Sequence, residues 1–266
     1  MDITNWNAMD WVAVIGAFAW APQIISWIYQ FFTKPKITLY LHNVAEIGYS
    51  SFGPIFNVNL ALVSEKRGAT LNNFSVNIRH ENGAEYTFDW DGLSEDLSEI
   101  RDQSGLPTSI KKVYLPLVVR VIQSGVAQVF VRFQHQSFKS KFREAIKEAV
   151  EKYQTLKNAG KLSTEQNIEA LTSEQEFSTI VKLINSEFIW VAGKYTIAFD
   201  FQSPNKFVYR RSKYTFNLTQ DDIDELRKNI DNIKLDIIQN AKADALKDYK
   251  PKGIVWIWRN PELQKV

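Results

Sequence analysis

The residues best suited to chemistry lie in the segment Lys206–Lys213, where rings alternate with cations. In an extended strand, this alternation places Phe207, Tyr209, Arg211 and Lys213 on one face. Aromatic rings stack on bases and basic side chains bind phosphate, so the face predicts binding of a nucleotide or a short single-stranded oligonucleotide. An exposed strand of mixed composition and a patch that contacts anionic lipid are the alternatives.

Catalytic and metal-binding patterns are missing from the sequence. There is no cysteine, and the three histidines, His42, His80 and His135, fall on separate predicted strands without a second ligand at metal spacing. No phosphate-binding loop, dinucleotide fingerprint or nucleophile elbow occurs. One acidic group lacks the spacing of an EF-hand and is typical of a solvated loop; it contains Asp89, Asp91, Glu95, Asp96 and Glu99. We therefore expect no catalytic residue, no metal, no cofactor and no enzymatic activity.

A second set of polar and small residues lies near the amino terminus, at alternating spacings of three and four. These spacings place the whole set on one face of a helix; its members are Gly16, Ala19, Gln23, Ser26, Gln30 and Thr33. Buried amides need partners, and a single helix has no neighbour in its own chain, so the stripe predicts a homo-oligomer. It would either line a narrow uncharged pore or only hold the helices together.

The helix that carries this stripe is predicted to cross a membrane. The segment Trp11–Thr33 contains no charged residue, and at about 1.5 Å per residue its apolar part extends over roughly 33 Å. Acidic residues precede the segment, whereas Lys34 and Lys36 follow it. The positive-inside rule then places residues 1–10 outside a cell inner membrane and the rest in the cytoplasm. A cleaved signal peptide and a buried core helix are the alternatives.

The remainder of the chain is predicted to be mainly β. Apolar residues alternate in several runs from Ile37 to Phe133 and again from Tyr195 to Leu218, as half-buried strands do. We expect a β-sandwich formed by 36–135 and 187–218, with a helical insertion at 137–186. The balanced net charge of +2 argues against a protein dedicated to coating nucleic acid.

One short motif resembles a known fold. The residues Gly193-Lys194-Tyr195-Thr196-Ile197 are similar to the start of the penultimate strand in immunoglobulin-like sandwiches, where the tyrosine forms a corner. The resemblance implies an immunoglobulin-like arrangement of two packed sheets.

The region 219–266 is predicted to contain a helix followed by an apolar tail. Thr219 and Asp222 match a capping box, and apolar residues continue to Ile237 at helical spacing. The tail carries Trp256 and Trp258 and should dock as an added strand, on this subunit or on the next, or contact a protein partner.

One membrane helix followed by a ligand-sensing domain resembles, in architecture, the single-span effectors of bacterial anti-phage systems that respond to nucleotide signals. That resemblance implies an oligomeric, pore-forming membrane effector with a cytoplasmic sensor domain. The alternative is a membrane-tethered protein-interaction module that conducts nothing. An unrecognised enzyme is the third possibility.

Overall fold

Five helices and twelve strands are found in the parts of the chain that the computed structural model describes, residues 8–101, 107–114, 117–158, 166, 175–245 and 249–266. The helices are α1 (Ala8–Phe32), α2 (Gln136–Asn158), α3 (Gln175–Ser186), α4 (Gln220–Arg227) and α5 (Asn229–Ala245). The first seven strands are β1 (Lys36–Ser50), β2 (Gly53–Glu65), β3 (Ala69–His80), β4 (Glu85–Arg101), β5 (Pro107–Tyr114), β6 (Val119–Val121) and β7 (Val126–Gln134). The remaining strands are β8 (Gly193–Gln202), β9 (Val208–Tyr209), β10 (Lys213–Leu218), β11 (Trp258–Arg259) and β12 (Gln264–Lys265).

All twelve strands belong to one sheet, in the order β11-β1-β2-β7-β4-β3-β8-β10-β12, with β5, β6 and β9 attached to β4, β3 and β1. The two ends of this order, β11 and β12, are close together in the chain. A stretch from Arg259 to Gln264 spans at most about 17 Å when extended. The sheet must therefore curl until its two edges lie within that distance of each other.

The prediction of an immunoglobulin-like sandwich is wrong, because the strands do not separate into two sheets. Strand β4 pairs with β3 through Glu85–Asp89 and with β7 through Asp89–Ser94, and the β7 register shifts between Trp90 and Gly92. A bulge of this kind bends a strand and increases its twist. Strand β4 thus connects β3 to β7 within one sheet. The acidic segment after Asp91, which was predicted to be a loop, is strand as far as Arg101.

The prediction of a membrane-spanning helix is also wrong. Helix α1 does form, but no helix in the described part of the chain is long and apolar enough to cross a membrane. The carboxyl-terminal half of α1 mixes its aliphatic residues with Pro22, Gln23 and Ser26, and Trp and Tyr contribute further polar groups. The predicted inner-membrane location, orientation, bilayer contact and ion channel rested on that span and are withdrawn with it.

The core lies inside the curl and is rich in aromatic rings. Phe56 of β2 contacts Phe133, Phe199 and Phe216 at centroid distances of 6.2–6.4 Å. Residues of α2 and α3, among them Phe138 and Ile184, belong to the same buried cluster. The helices between β7 and β8 therefore share the core of the sheet.

Tyr195 fixes the entry of β8 into this core. Its ring stacks on Phe216 at 4.8 Å, and its side chain is fully buried. The hydroxyl donates a hydrogen bond to the Val191 carbonyl at 2.9 Å and accepts one from the Val191 N–H at 2.8 Å. Burial raises the pKa of Tyr195 to about 12. The tyrosine corner is thus present as local geometry, although the sheet is continuous.

The region after β10 begins as predicted and then divides. The capping box is confirmed, because the Thr219 hydroxyl accepts from the Asp222 N–H and the Asp222 carboxylate accepts from the Thr219 N–H. The single predicted helix is two helices, since at Lys228 the N–H bonds to the Glu225 carbonyl, three residues back, and α5 begins at Asn229. Such tighter hydrogen bonding marks the end of a helix.

Candidate functional site

The two rings proposed to stack on bases face the core instead of solvent. Phe207 stacks on Phe201 with centroids 5.4 Å apart and an interplanar angle of 19°. Tyr209 contacts the same ring at 4.3 Å. Between them, Val208 points outward and is 49% exposed. Base stacking by these rings stays a prediction, and it would have to use the ring faces that Phe201 leaves open.

The hydroxyl of Tyr209 is buried, and no hydrogen-bond partner for it is found among the described residues. Burial, followed by the nearby Tyr214 and Asp200, raises the pKa of this phenol above its usual range. The group therefore stays protonated at neutral pH, and solvent does not reach it in this conformation.

The two cations of the predicted face, Arg211 and Lys213, remain at the surface, apart from the rings. The Arg211 guanidinium lies 2.6 Å from an Asp200 carboxylate oxygen in an exposed ion pair. Lys213 is exposed and lies opposite Ala198 in the β10–β8 ladder. A phosphate group at Arg211 would have to compete with Asp200. The structure thus separates the predicted rings from the predicted phosphate-binding cations.

The stripe on α1 lies open for much of its length. Gly16, Ala19, Gln23 and Ser26 are exposed, and a Cβ placed on Gly16 would meet no atom within 4 Å. Thr33 is partly buried where the helix ends, and the Gln30 side chain lies outside the described residues. A role of this stripe in helix contacts stays a prediction.

The larger apolar side chains of α1 are exposed on every side of the helix. Ten of them are at least 53% exposed: Val12, Ile15, Phe18, Trp20, Ile24, Ile25, Trp27, Ile28, Tyr29 and Phe32. Four side chains border a shallow groove of about 280 Å³, namely Phe18, Ala21, Ile24 and Ile25. An exposed apolar surface of this kind is typical of an interface.

One cluster of ionisable groups near α2 was not found from the sequence. His135 Nδ1 lies 3.1 Å from the Ser137 hydroxyl and 4.0 Å from a Glu187 oxygen, and Lys141 pairs with the same carboxylate at 2.5 Å. Burial lowers the pKa of His135 more than Glu187 raises it. No group of three or more metal-ligand side chains occurs in the described ranges. The Lys141–Glu187 ion pair joins α2 to the segment after α3, and the His135 ring lies beside it.

Comparison with known proteins leaves the family open. No family model and no curated protein matches the chain. A family 123 glycoside hydrolase from Clostridium perfringens is similar in structure with a TM-score of 0.30 and 5% sequence identity, over 70% of this chain and 28% of that chain. A likeness at this level carries no argument about function, and the resemblance to anti-phage effectors stays a prediction. The function must therefore be inferred from the surfaces of this chain.

Proposed function

We propose that this protein is a non-enzymatic interaction module that assembles with copies of itself through helix α1. The observation that carries the proposal is the set of ten large apolar side chains on α1, each at least 53% exposed. A helix that is apolar around its circumference is normally buried in a larger structure. Assembly supplies that burial.

The distribution of these side chains favours more than one neighbour. At about 100° per residue, Trp20, Ile28 and Phe18 follow one another around the helix at intervals of about 80°. One packed helix covers an apolar stripe of roughly 100°. If one neighbouring helix buried five of the ten side chains, their burial would contribute about 8–15 kcal/mol. This is similar to the estimated cost of association of about 4–15 kcal/mol, so a single neighbour would give little net stability. We therefore expect a trimer or a larger ring.

A second copy is the occupant that fits this helix best. The segment from residue 11 to residue 33 has no charged side chain with which to select a different partner. The groove bordered by Phe18 and Ile25 can accept a side chain from an identical helix, as ridges pack into grooves. Closed symmetric assemblies of identical chains are the commonest kind of soluble oligomer.

Sedimentation equilibrium of the full chain tests the proposal. We expect a defined mass of at least three chains for the wild type and of one chain for the Phe18→Glu, Ile25→Glu double variant. The matched control is Ile122→Glu with Val126→Glu, which changes two apolar side chains that are also at least 60% exposed but belong to the segment after β6 and to β7, outside α1. A monomeric wild type, or a Phe18/Ile25 variant of unchanged mass, would contradict the proposal.

Cross-linking identifies the face of α1 that is used, because the chain has no cysteine of its own. Gly16→Cys probes the polar stripe, Ile28→Cys probes the apolar face, and Lys206→Cys on the exposed segment before β9 is the control. We expect rapid disulfide formation between chains for Ile28→Cys and none for Lys206→Cys. Dimer formation by Gly16→Cys alone would assign the contact to the stripe.

A further inference from the structure

The C-terminal tail comprises residues 249–266, and its part from Lys252 to Ile257 is held on one face of α5 by side-chain amides. Asn229 Nδ2 donates to the Ile257 carbonyl at 2.7 Å, and its Oδ1 accepts from the Ile257 N–H at 2.9 Å. Asn232 donates to the Val255 carbonyl at 3.0 Å, and Gln239 accepts from the Lys252 N–H. At these positions the helix therefore contacts the main chain of the tail through bonds that do not depend on the tail's sequence.

The side chains of Asn229, Asn232 and Gln239 lie on the same face of α5 because of their spacing. Asn232 and Gln239 follow Asn229 by three and ten positions, which brings all three to within about 80° on the helix. Asn229 is fully buried and Gln239 is 4% exposed. Buried amides are costly unless they are hydrogen-bonded. The main chain of the tail bonds to both ends of the Asn229 amide and to Gln239 Oε1, whereas Gln239 Nε2 has no partner among the described residues.

Two side chains of the tail add specificity. The Trp258 ring covers Gly48 of β1 so closely that a Cβ on Gly48 would overlap it. Arg259 lies between two carboxylates of α4, with Nε 3.1 Å from Asp222 and an amino nitrogen 3.6 Å from Glu225. The Nε contact is an ion pair without hydrogen-bond alignment. An aromatic residue followed by a basic residue thus occupies this site.

The strand pairing of the tail is short. It consists of two residue pairs between β11 and β1, two between β12 and β10, and one isolated bridge between Val44 and Glu262. Residues 249–257 join no strand, and Val255 is 83% exposed. Pairing of this extent gives little cooperative stability, so the tail can be replaced by a segment that makes the same contacts.

We propose that the groove between α5 and the outer edge of β1 is a binding site for extended polypeptide, and that the C-terminal tail occupies it as an internal ligand. Its external ligand is an extended segment of a partner protein that carries an aromatic residue followed by a basic residue. The segment binds by displacing the tail, forms main-chain bonds with the α5 amides and adds a strand at the edge of β1. This site is separate from α1 and does not depend on the assembly of copies.

The test measures binding of a fluorescent peptide with the sequence of residues 253–264 to the full chain. A tethered tail competes at an effective concentration in the millimolar range, so the wild type should bind the peptide weakly. Arg259→Ala in the chain weakens the competing tail, and we expect the peptide to bind about three- to tenfold more tightly. The same substitution in the peptide should weaken binding to the wild-type chain by a similar factor. With both substitutions, the affinity should return close to the original value.

A disulfide lock provides the control. Val44 and Glu262 form a bridge flanked by the hydrogen bonds Ala45 N–H to Pro261 and Leu263 N–H to Asn43, the pattern of a non-hydrogen-bonded pair with closely spaced side chains. Val44→Cys with Glu262→Cys should abolish peptide binding when oxidised and restore it when reduced. The proposal would be overturned by peptide binding that persists in the oxidised lock, or by the absence of saturable binding to the reduced form. It would also be overturned if Arg259→Ala in the chain left the peptide affinity unchanged.

Discussion

Replacement of Tyr195 by Phe removes one oxygen atom from the centre of the fold and leaves the ring in place. That oxygen donates to the Val191 carbonyl and accepts from the Val191 N–H, at 2.9 and 2.8 Å. Both Val191 groups would lose their partner on the substitution. The ring still fills its site against Phe216, so no cavity of side-chain size is created.

The expected loss follows from two net hydrogen bonds. Each contributes about 0.5–1.5 kcal/mol, so the free energy of unfolding should fall by about 1–3 kcal/mol. For a chain of this size, each kcal/mol corresponds to roughly 2–4 °C in melting temperature. A central value of about 2 kcal/mol therefore predicts a decrease of about 4–8 °C.

Urea denaturation followed by tryptophan fluorescence, together with calorimetry, measures the change. Tyr40→Phe is the matched control, because that side chain is 56% exposed and should change stability by less than about 0.5 kcal/mol. An equal stability for Tyr195→Phe and Tyr40→Phe would refute the reasoning that the corner stabilises the entry of β8.

Two further predictions concern other parts of the molecule, and a third concerns the titration of Tyr195. Gly48→Val should destabilise the chain by about 1–3 kcal/mol because the valine side chain overlaps the Trp258 ring. In the double variant, Trp258→Ala should relieve most of that cost. An unchanged denaturation midpoint for Gly48→Val would contradict the overlap. Thr219→Ala should cost about 1 kcal/mol through loss of the capping box, measured by chemical denaturation against Thr179→Ala, an exposed threonine within α3. Burial raises the pKa of Tyr195 to about 12 from about 10 in the unfolded chain, so the unfolded state loses its proton first. The free energy of unfolding should therefore fall as the pH rises from 10 to 12. Tyr195→Phe should show a shallower decline of melting temperature over that interval.

Much of the strand content could be predicted because burial on one side of a sheet leaves a period of two. The runs at Ile37, Phe56 and Phe74 are strands in the structure, and the tail docks as an added strand on its own subunit, which is one of the two predicted positions. Periodicity shows which face of a strand is buried, but it does not identify the neighbouring strand. The double pairing of β4 depends on a bulge at Trp90, and no local pattern indicates it.

The candidate sites show the same limit. Alternation correctly separates Val208 from its neighbours Phe207 and Tyr209, but it cannot decide which face is turned to the core. The presence of Phe201 across the sheet decides that question. Asn229 and Gln239 were overlooked because isolated amides in a helix carry no motif. Their role becomes visible only when the tail, distant in sequence, lies beside them.

The closure of the sheet by residues 258–265 has a consequence for how the chain is made. Strand β1 is synthesised early, whereas its partner β11 leaves the ribosome only after β1–β10. Until then the growing chain carries two unpaired strand edges, which are templates for pairing with other chains. Contacts between such distant segments also form slowly. The protein should therefore depend on chaperones most strongly in the interval before residues 258–265 emerge, and ribosomes stalled in that interval should release aggregation-prone chains.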